Sequence, residues 1–474
     1  MISEETVNQG IALKSIFEKQ KVHQYVVANT TAKERKKKLK ALYKAVKYEF
    51  RQEIRDAMMA DFRKPEQEVD LSEILIICNE IRHAIHNLSQ WMRPRGVSTP
   101  VALLGSSSKI YYEPKGVCLI ISPWNFPFNL SLGPLVSAIA AGNTVILKPS
   151  EMTPHSSAVT RRIVESIFPP EEVYVAEGGI ETSKELLDLP FNHIFFTGSP
   201  AVGKIVMTAA AKHLSSVTLE LGGKSPTIID ETAHIDQAAQ RIAWGKHLNA
   251  GQICIAPDYI FVQDKVQEEF KRCYIKWIQT FYGSHPELSA DYPGIVNKKH
   301  AGRLTDYLTD AHEKGAEILL GGVSDIENAW VVPTVVNGSL AGTKLLEEEI
   351  FGPVTPILVF RERSEVVEYI NNGEKPLALY LFSTSQSNID YFMKNTRAGG
   401  GCINMVNVQF FNHHLPFGGS NNSGIGKSHG YAGFLAFSNE RGVLRQWLPG
   451  AAEILSPPFT RMKKLLVKFL VDYL

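Results

Sequence analysis

Val117-Cys118-Leu119-Ile120-Ile121-Ser122-Pro123-Trp124-Asn125-Phe126-Pro127 joins an unbroken apolar run to a loop in which two prolines bracket an amide side chain. A run this short, closed by turn residues, reads as a strand buried on both faces. Three similar runs follow, Thr144 to Leu147, Val173 to Ala176 and Ile194 to Thr197, separated by helical stretches starting near Leu132, Pro154, Ser183 and Pro200. Strands alternating with helices predict βαβ units and a mainly parallel sheet, hence an α/β fold. In open sheets of this kind, ligands bind outside the carboxyl ends of the strands.

Those ends carry unusual residues. After the first strand, the prolines hold Asn125 so that its amide N–H groups can be presented rigidly; an ordinary turn is the plain alternative. After the second, Lys148-Pro149-Ser150-Glu151 sets a cation beside a carboxylate. Such a carboxylate can accept hydrogen bonds from a nucleotide ribose, while Ser150 or Thr153 could simply cap the next helix. Phe196-Thr197-Gly198-Ser199-Pro200-Ala201-Val202-Gly203 runs from strand into helix, where backbone amides can hold a pyrophosphate. It lacks the middle glycine of GxGxxG and is a weak motif alone. Leu219-Glu220-Leu221-Gly222-Gly223-Lys224 then places a carboxylate at a strand end beside two glycines.

Asn249-Ala250-Gly251-Gln252-Ile253-Cys254-Ile255-Ala256-Pro257 sets one cysteine among small residues after a helix. Glycine permits a tight turn, so the Cys254 amide can face the same space as its sulfur, and the thiol reads as a nucleophile. A free thiol titrates near 8.5 and needs a setting that favours thiolate. A buried structural cysteine is the bland alternative. Glu220 precedes it and can act as a general base on water near an acyl-cysteine. Glu347-Glu348-Glu349-Ile350-Phe351-Gly352-Pro353 again couples a carboxylate to an aromatic and a turn. Near the end, Leu415-Pro416-Phe417-Gly418-Gly419 follows His413 and His414, but no second ligand cluster of zinc-like spacing accompanies the histidines, and no metal is expected.

The amino-terminal part predicts amphipathic helices. Leu39, Leu42, Val46, Phe50 and Ile54 form one series, and Ile74, Cys78, Ile81, Ile85, Leu88 and Met92 another. The basic run Lys33 to Lys40 reads as a solvated helix face, and an alternating stretch around Lys109 to Glu113 as a hairpin. Over 474 residues, 50 Lys and Arg balance 49 Asp and Glu, which gives no field for nucleic acid. Five cysteines, an odd number without CxxC spacing, argue against a disulfide framework and a zinc site. A start without signal-peptide layout, and no apolar stretch long enough to span a bilayer, point to a cytoplasmic protein.

Taken in order, the Pro123–Pro127, Lys148–Glu151, Phe196–Ser199, Leu219–Lys224, Gly251–Cys254, Glu349–Pro353 and Pro416–Gly419 motifs resemble the aldehyde dehydrogenase superfamily over roughly residues 10 to 445. Ala256-Pro257-Asp258-Tyr259, the compact amino terminus and Asn412-His413-His414-Leu415-Pro416 resemble its class 3 branch, which includes fatty aldehyde dehydrogenases. The family uses a shorter glycine pattern, so the incomplete fingerprint is expected.

The resemblance implies a Rossmann-like NAD(P)-binding domain from residues 1–95, 115–222 and 423–440, and a catalytic domain from 223–422. It also implies a small β bridging element from 96–114 and 441–449 that pairs subunits into a homodimer. Cys254 would attack the aldehyde, Asn125 and the Cys254 amide would hold the oxyanion, NAD would take the hydride, and Glu220 would activate water against the thioester. Trp124, Lys148, Glu151, Gly198, Ser199, Gly203, Leu221, Glu349 and Phe351 would bind the cofactor. Glu151 implies NAD in preference to NADP, with NADP as a usable second cofactor. Medium- or long-chain aliphatic or aromatic aldehydes are the implied substrates. A catalytically silent relative and a coenzyme A-acylating variant are the alternatives. Residues 450–474 form an amphipathic tail, with Arg461, Lys464, Lys468 and Asp472 on one face and Met462, Leu466, Phe469 and Tyr473 on another. It would lie on a membrane surface, fold over a substrate entrance or pack on the enzyme.

Overall fold

The computed structural model describes residues 4–448, 450 and 455–473. Pro449, at the end of the expected bridging element, and the tail residues 451–454 and 474 lie outside them.

The apolar runs that open the βαβ pattern are strands Val117–Ile121, Thr144–Lys148, Val173–Val175 and His193–Gly198, with Ser216–Leu221 as a fifth. All five run parallel, and Gly424–Ile425 adds an antiparallel edge beside Ser216–Leu221. Every residue of the first two strands is buried, because helices cover both faces and leave no side for polar residues. Numbered along the chain, the parallel strands lie in the order 3-2-1-4-5. The order reverses between Val117–Ile121 and His193–Gly198, so a crevice opens at their carboxyl ends, where Trp124, Asn125 and Ser199 follow.

A second sheet has seven strands. In spatial order these are Ala316–Leu320, Thr334–Gly338, Val354–Phe360, Tyr259–Gln263, Pro226–Ile229, Ala378–Phe382 and Gly400–Ile403, parallel except for the first. Arg95–Val97, Ser106–Pro114 and Ser438–Gln446 make a third, antiparallel sheet whose Ser438–Gln446 edge is exposed from Asn439 onward. The sequence series around Lys109 to Glu113 thus belongs to a hairpin completed by a strand 324 residues on, as Ser438 pairs with Pro114.

The first helical series spans two helices, Ala32–Lys44 and Arg51–Phe62, joined by a π-turn at Ala45–Glu49. Leu39, Leu42, Val46 and Ile54 are fully buried, while Phe50 at the break is only partly so. The second series starts at Ile74, the end of a π-turn Asp70–Ile74, and runs through the helix Leu75–Trp91 to its cap Met92. In the basic run the lysines face outward or lie partly covered, but Arg35 does not belong to that face. It is buried and donates to the carbonyl oxygens of Ala140 (3.0 Å) and Ala28 (2.8 Å), and burial pulls its guanidinium down to about 10.

Candidate active site

The cysteine loop is built on backbone that most residues avoid. Asn249, Ala250 and Gly251 follow one another at φ 53, 50 and 73°. Left-handed backbone at two non-glycine residues costs on the order of 1–3 kcal/mol each and persists only where surroundings over-determine it. They do so here. Asn249 N donates to Glu68 Oε1 (2.8 Å), and its side-chain amide donates to the carbonyls of Asn125 (2.9 Å) and Gln252 (3.2 Å). The Gln252 side chain donates to Asn249 O (2.9 Å) and Gly294 O (3.1 Å) and accepts from Val296 N (3.0 Å). A Cβ on Gly251 would sit 2.3 Å from Gly352 O. Gly251→Ala is therefore expected to lower the melting temperature by the equivalent of about 2 kcal/mol or more and to impair turnover, read by thermal denaturation beside activity.

Cys254, half-buried at the end of this loop, lies where three cavities meet. Two are apolar: one is lined by Ile76, Leu130, Phe410 and Phe417, the other by Phe126, Ile253, Phe410 and Phe411. The third is lined by Trp124, Asn125, Ser199, Leu221, Glu349 and Phe351. Burial pushes the thiol up to about 12, reinforced by the Glu349 and Glu220 carboxylates, while the Cys254 and Ile255 amides act the other way. Asn125 is buried, and one of its amide hydrogens already goes to Gln252 O (3.0 Å), which leaves the other for a ligand.

Glu220 sits on strand Ser216–Leu221, opposite Thr197 on one neighbour and Gly424 on the other. It lines two of the cavities that Cys254 lines. Both its oxygens are buried without a hydrogen-bond partner among the described residues. Burial pushes its carboxyl up to about 8, with Ser428 and Lys427 opposing the rise.

Glu349 is brought to the third cavity by contacts at both ends of its segment. Lys224 pairs with Asp258 and donates to the carbonyls of Leu345 (2.9 Å) and Glu348 (2.7 Å), and Arg303 donates to those of Glu349 (3.2 Å) and Ile350 (2.8 Å). The Glu349 carboxylate accepts from Gly223 N (3.1 Å), and a Cβ on Gly222 would lie 2.3 Å from it. Burial pushes this carboxyl up to about 8 as well. Phe351, at φ 48°, meets Trp124 edge-on at 5.3 Å, and His300 lies 5.0 Å from the same indole.

Lys148 and Glu151 pair with each other at 2.7 Å. Burial alone would raise the Glu151 carboxyl, but the Lys148 hydrogen bond, a backbone hydrogen bond and the Lys148 charge together outweigh it and hold the carboxyl below its ordinary value, ionised at neutral pH. Ser199 caps the helix Pro200–Ala211 by accepting from Val202 N (3.4 Å). A Cβ on Gly203 would strike Leu221 at 2.7 Å, so glycine there lets the helix close on the sheet. A capped helix start at a strand-order reversal, an ionised carboxylate on the neighbouring strand end and an aromatic cradle beside Cys254 have the chemistry of a dinucleotide site.

The aldehyde dehydrogenase family model matches residues 10–443. The chain belongs to the aldehyde dehydrogenase family. Among its relatives, the 4,4'-diaponeurosporen-aldehyde dehydrogenase of Staphylococcus aureus is 41% identical over 92% of this chain and 94% of that protein. Mouse aldehyde dehydrogenase family 3 member B3 is 39% identical over 93% and 92%. The substrate-bound structure of Staphylococcus aureus AldH superposes with a TM-score of 0.92 at 39% identity, covering 97% of this chain and 99% of that one. This chain is thus an NAD(P)-dependent aldehyde dehydrogenase with the family's α/β fold.

The sequence reading did not single out Glu68, Leu130, His300, Arg303, Phe410 or Ser428. Leu130 lines all three cavities, and Glu68 holds the Cys254 loop across 181 residues through Asn249 N. No spacing in the sequence marks contacts of that range; only Ser428 and Phe410 lie beside a motif.

Proposed function

We propose that this enzyme oxidises medium- to long-chain aliphatic or aromatic aldehydes to carboxylic acids through a covalent adduct on Cys254. The observation that carries the reading is the meeting of three cavities at a single half-buried thiol, two walled mainly by aliphatic and phenyl side chains and one that carries Trp124, Ser199, Glu349 and Phe351. An apolar aldehyde tail occupies the first two, which sets the carbonyl carbon at the sulfur. As sulfur adds, its proton having left to solvent, the carbonyl oxygen gains charge and is met by the remaining Asn125 N–H and the Cys254 amide, donors worth about 3 kcal/mol of barrier each. Trp124, Gly198, Ser199, Gly203, Leu221, Glu349 and Phe351 hold a nicotinamide dinucleotide, which when bound accepts the hydride from the adduct carbon. Glu220 takes a proton from water, whose oxygen attacks the thioester; the acid leaves and the thiol is restored.

NAD is the preferred cofactor. Lys148 and Glu151 bind the adenosine ribose, and an ionised Glu151 repels a 2′-phosphate. Lys148, buried and held on Glu151, leaves NADP a weaker second choice.

The first sheet with the amino-terminal helices binds the cofactor, the second is the catalytic domain, and the third, with its nine-residue open edge Ser438–Gln446, pairs subunits into a homodimer. No helix of the described residues is long and apolar enough to cross a membrane. We place the enzyme in the cytoplasm, with its tail in peripheral membrane contact. That tail is the helix Arg461–Tyr473, on which no residue is buried and Met462, Phe469 and Val471 are more than half exposed.

NADH formation across short, long and aromatic aldehydes tests the substrate class. The kcat/KM is expected to rise with chain length by about 0.8 kcal/mol per buried methylene until the cavities are filled. Deleting residues 459–474 is expected to impair long-chain aldehydes selectively. A flat chain-length profile overturns the substrate assignment, and equal loss for short and long chains overturns the role of the tail.

A further inference from the structure

The helix Leu75–Trp91 turns one carboxylate inward: Glu80, 4% exposed. It faces the turn that starts the helix Gly430–Ala436, and its Oε1 accepts from Gly430 N at 2.7 Å. Its Oε2 faces two imidazoles, His413 Nδ1 at 2.9 Å and His429 Nδ1 at 3.9 Å. These three atoms lie within 4.8 Å of one another. All three are buried and without a hydrogen bond among the described residues, the close His413 approach being out of line for one. Glu80 Oε2 and His413 Nδ1 are close enough to pair with each other, whereas His429 Nδ1 is buried without a close partner, which costs roughly 1–3 kcal/mol; the three converge on one point as a ligand set would. His429 is held at φ 70° and Gly430 at φ 50°, and a Cβ on Gly430 would sit 2.2 Å from His413 O. The turn that brings His429 to Glu80 is therefore a constrained one.

We propose that Glu80, His413 and His429 bind a divalent transition metal of the zinc class. Two imidazoles and one carboxylate are zinc ligands at about 2.0–2.2 Å, with the fourth position left to water. Tetrahedral bonds of that length separate ligand atoms by roughly 3.4 Å, between the two oxygen–nitrogen distances of the cluster, so shifts of about an ångström complete the site. Sequence spacing could not show it, because Glu80 comes from a helix 333 residues before His413 and the neighbouring His414 is not one of the three.

The cluster forms a wall. Glu80 and His429 line the apolar cavity that ends at Cys254 and Glu220, while His413 and His429 line an outer cleft with His83 and Trp91. That cleft gives an ion a route that avoids the reacting groups. A bound ion ties the helix Leu75–Trp91 to the segment carrying Ser428 and steadies the far end of the substrate cavity.

The test is calorimetric titration of zinc chloride into full-length Cys254→Ser protein, which removes the catalytic thiol as a competing ligand. One equivalent is expected to bind at micromolar affinity or tighter, with a rise in melting temperature. Cobalt(II) is expected to give the visible spectrum of a tetrahedral nitrogen and oxygen site. His413→Asn and His429→Asn should each weaken zinc at least about tenfold. Because Glu80→Gln would also disturb the Gly430 contact, the partly accessible His413 carries the decision, with circular dichroism to verify folding. No saturable binding by folded Cys254→Ser protein overturns the proposal, as does an affinity unchanged in both histidine variants.

Discussion

Cys254→Ala is expected to lower NADH formation from any aldehyde by a factor of roughly 10⁴ or more, since removing the nucleophile of a catalytic unit abolishes everything the unit does together. The substitution shortens a small, half-buried side chain and leaves the loop hydrogen bonds of Asn249 and Gln252 in place, so the protein should fold and still bind NAD. Tryptophan quenching reports that binding, because Trp124 lines the cavity proposed for the cofactor. The resting thiol is poorly ionised, as burial pushes it up to about 12. Two carboxyls contribute to that, Glu349 and Glu220, each itself pushed up to about 8 by burial and so largely neutral at pH 7. Repulsion of a forming thiolate is thus weakest near neutrality and grows as they ionise. Substantial turnover by folded Cys254→Ala, above about one part in a hundred of the native rate, would place hydride loss on a hydrated aldehyde instead of a cysteine adduct.

The parts of this site that could be read without coordinates share a property: their chemistry is local in sequence. The Val117–Ile121 run ends on Pro123 and Pro127, which stiffen the chain around Asn125, and that stiffness is visible in composition. The parallel sheet was legible for the same reason, since strands buried on both faces show as unbroken apolar runs. What supports the nucleophile loop was not legible. Glu68 carries no motif, yet it accepts from Asn249 N across 181 residues and lies near a wholly buried Lys64. Arg35 looks like one more member of a solvated basic run, and only the Ala28 and Ala140 carbonyls reveal otherwise. Helical periodicity was clear for Leu39 to Ile54, but the π-turn at Ala45–Glu49 was not, because burial of the same face survives it. Cys254 is proposed as a nucleophile from its neighbours in sequence, whereas its raised thiol depends on burial, and on carboxylates that only folding brings near.

Glu220→Gln is expected to separate the two halves of the reaction. Glutamine keeps the shape of the strand end but cannot take a proton, and general-base catalysis of this kind contributes about 10²- to 10⁴-fold. The first turnover should therefore survive as a burst of NADH near one equivalent per active subunit, followed by a steady rate lower by about that factor, with the acyl group held on Cys254 and visible by mass spectrometry of the intact protein. Hydroxylamine, which needs no base, should release it. The pH profile follows from burial. With its carboxyl pushed up to about 8, Glu220 is mostly protonated at pH 7, so hydrolysis of the pre-formed thioester should accelerate as pH rises through that range and then level off. The direction is fixed by role: a base works in its deprotonated form, so activity is lost as pH falls through the folded value. Glu349 is pushed up into the same range, and both carboxyls act on the Cys254 thiol, so a pH profile of turnover by the native enzyme mixes the two. Glu349→Gln separates them. It should leave the rising limb of thioester hydrolysis in place while weakening cofactor binding, whereas Glu220→Gln should remove that limb and leave cofactor binding intact. A rising limb that persists in Glu220→Gln and disappears in Glu349→Gln would move the water-activating role to Glu349.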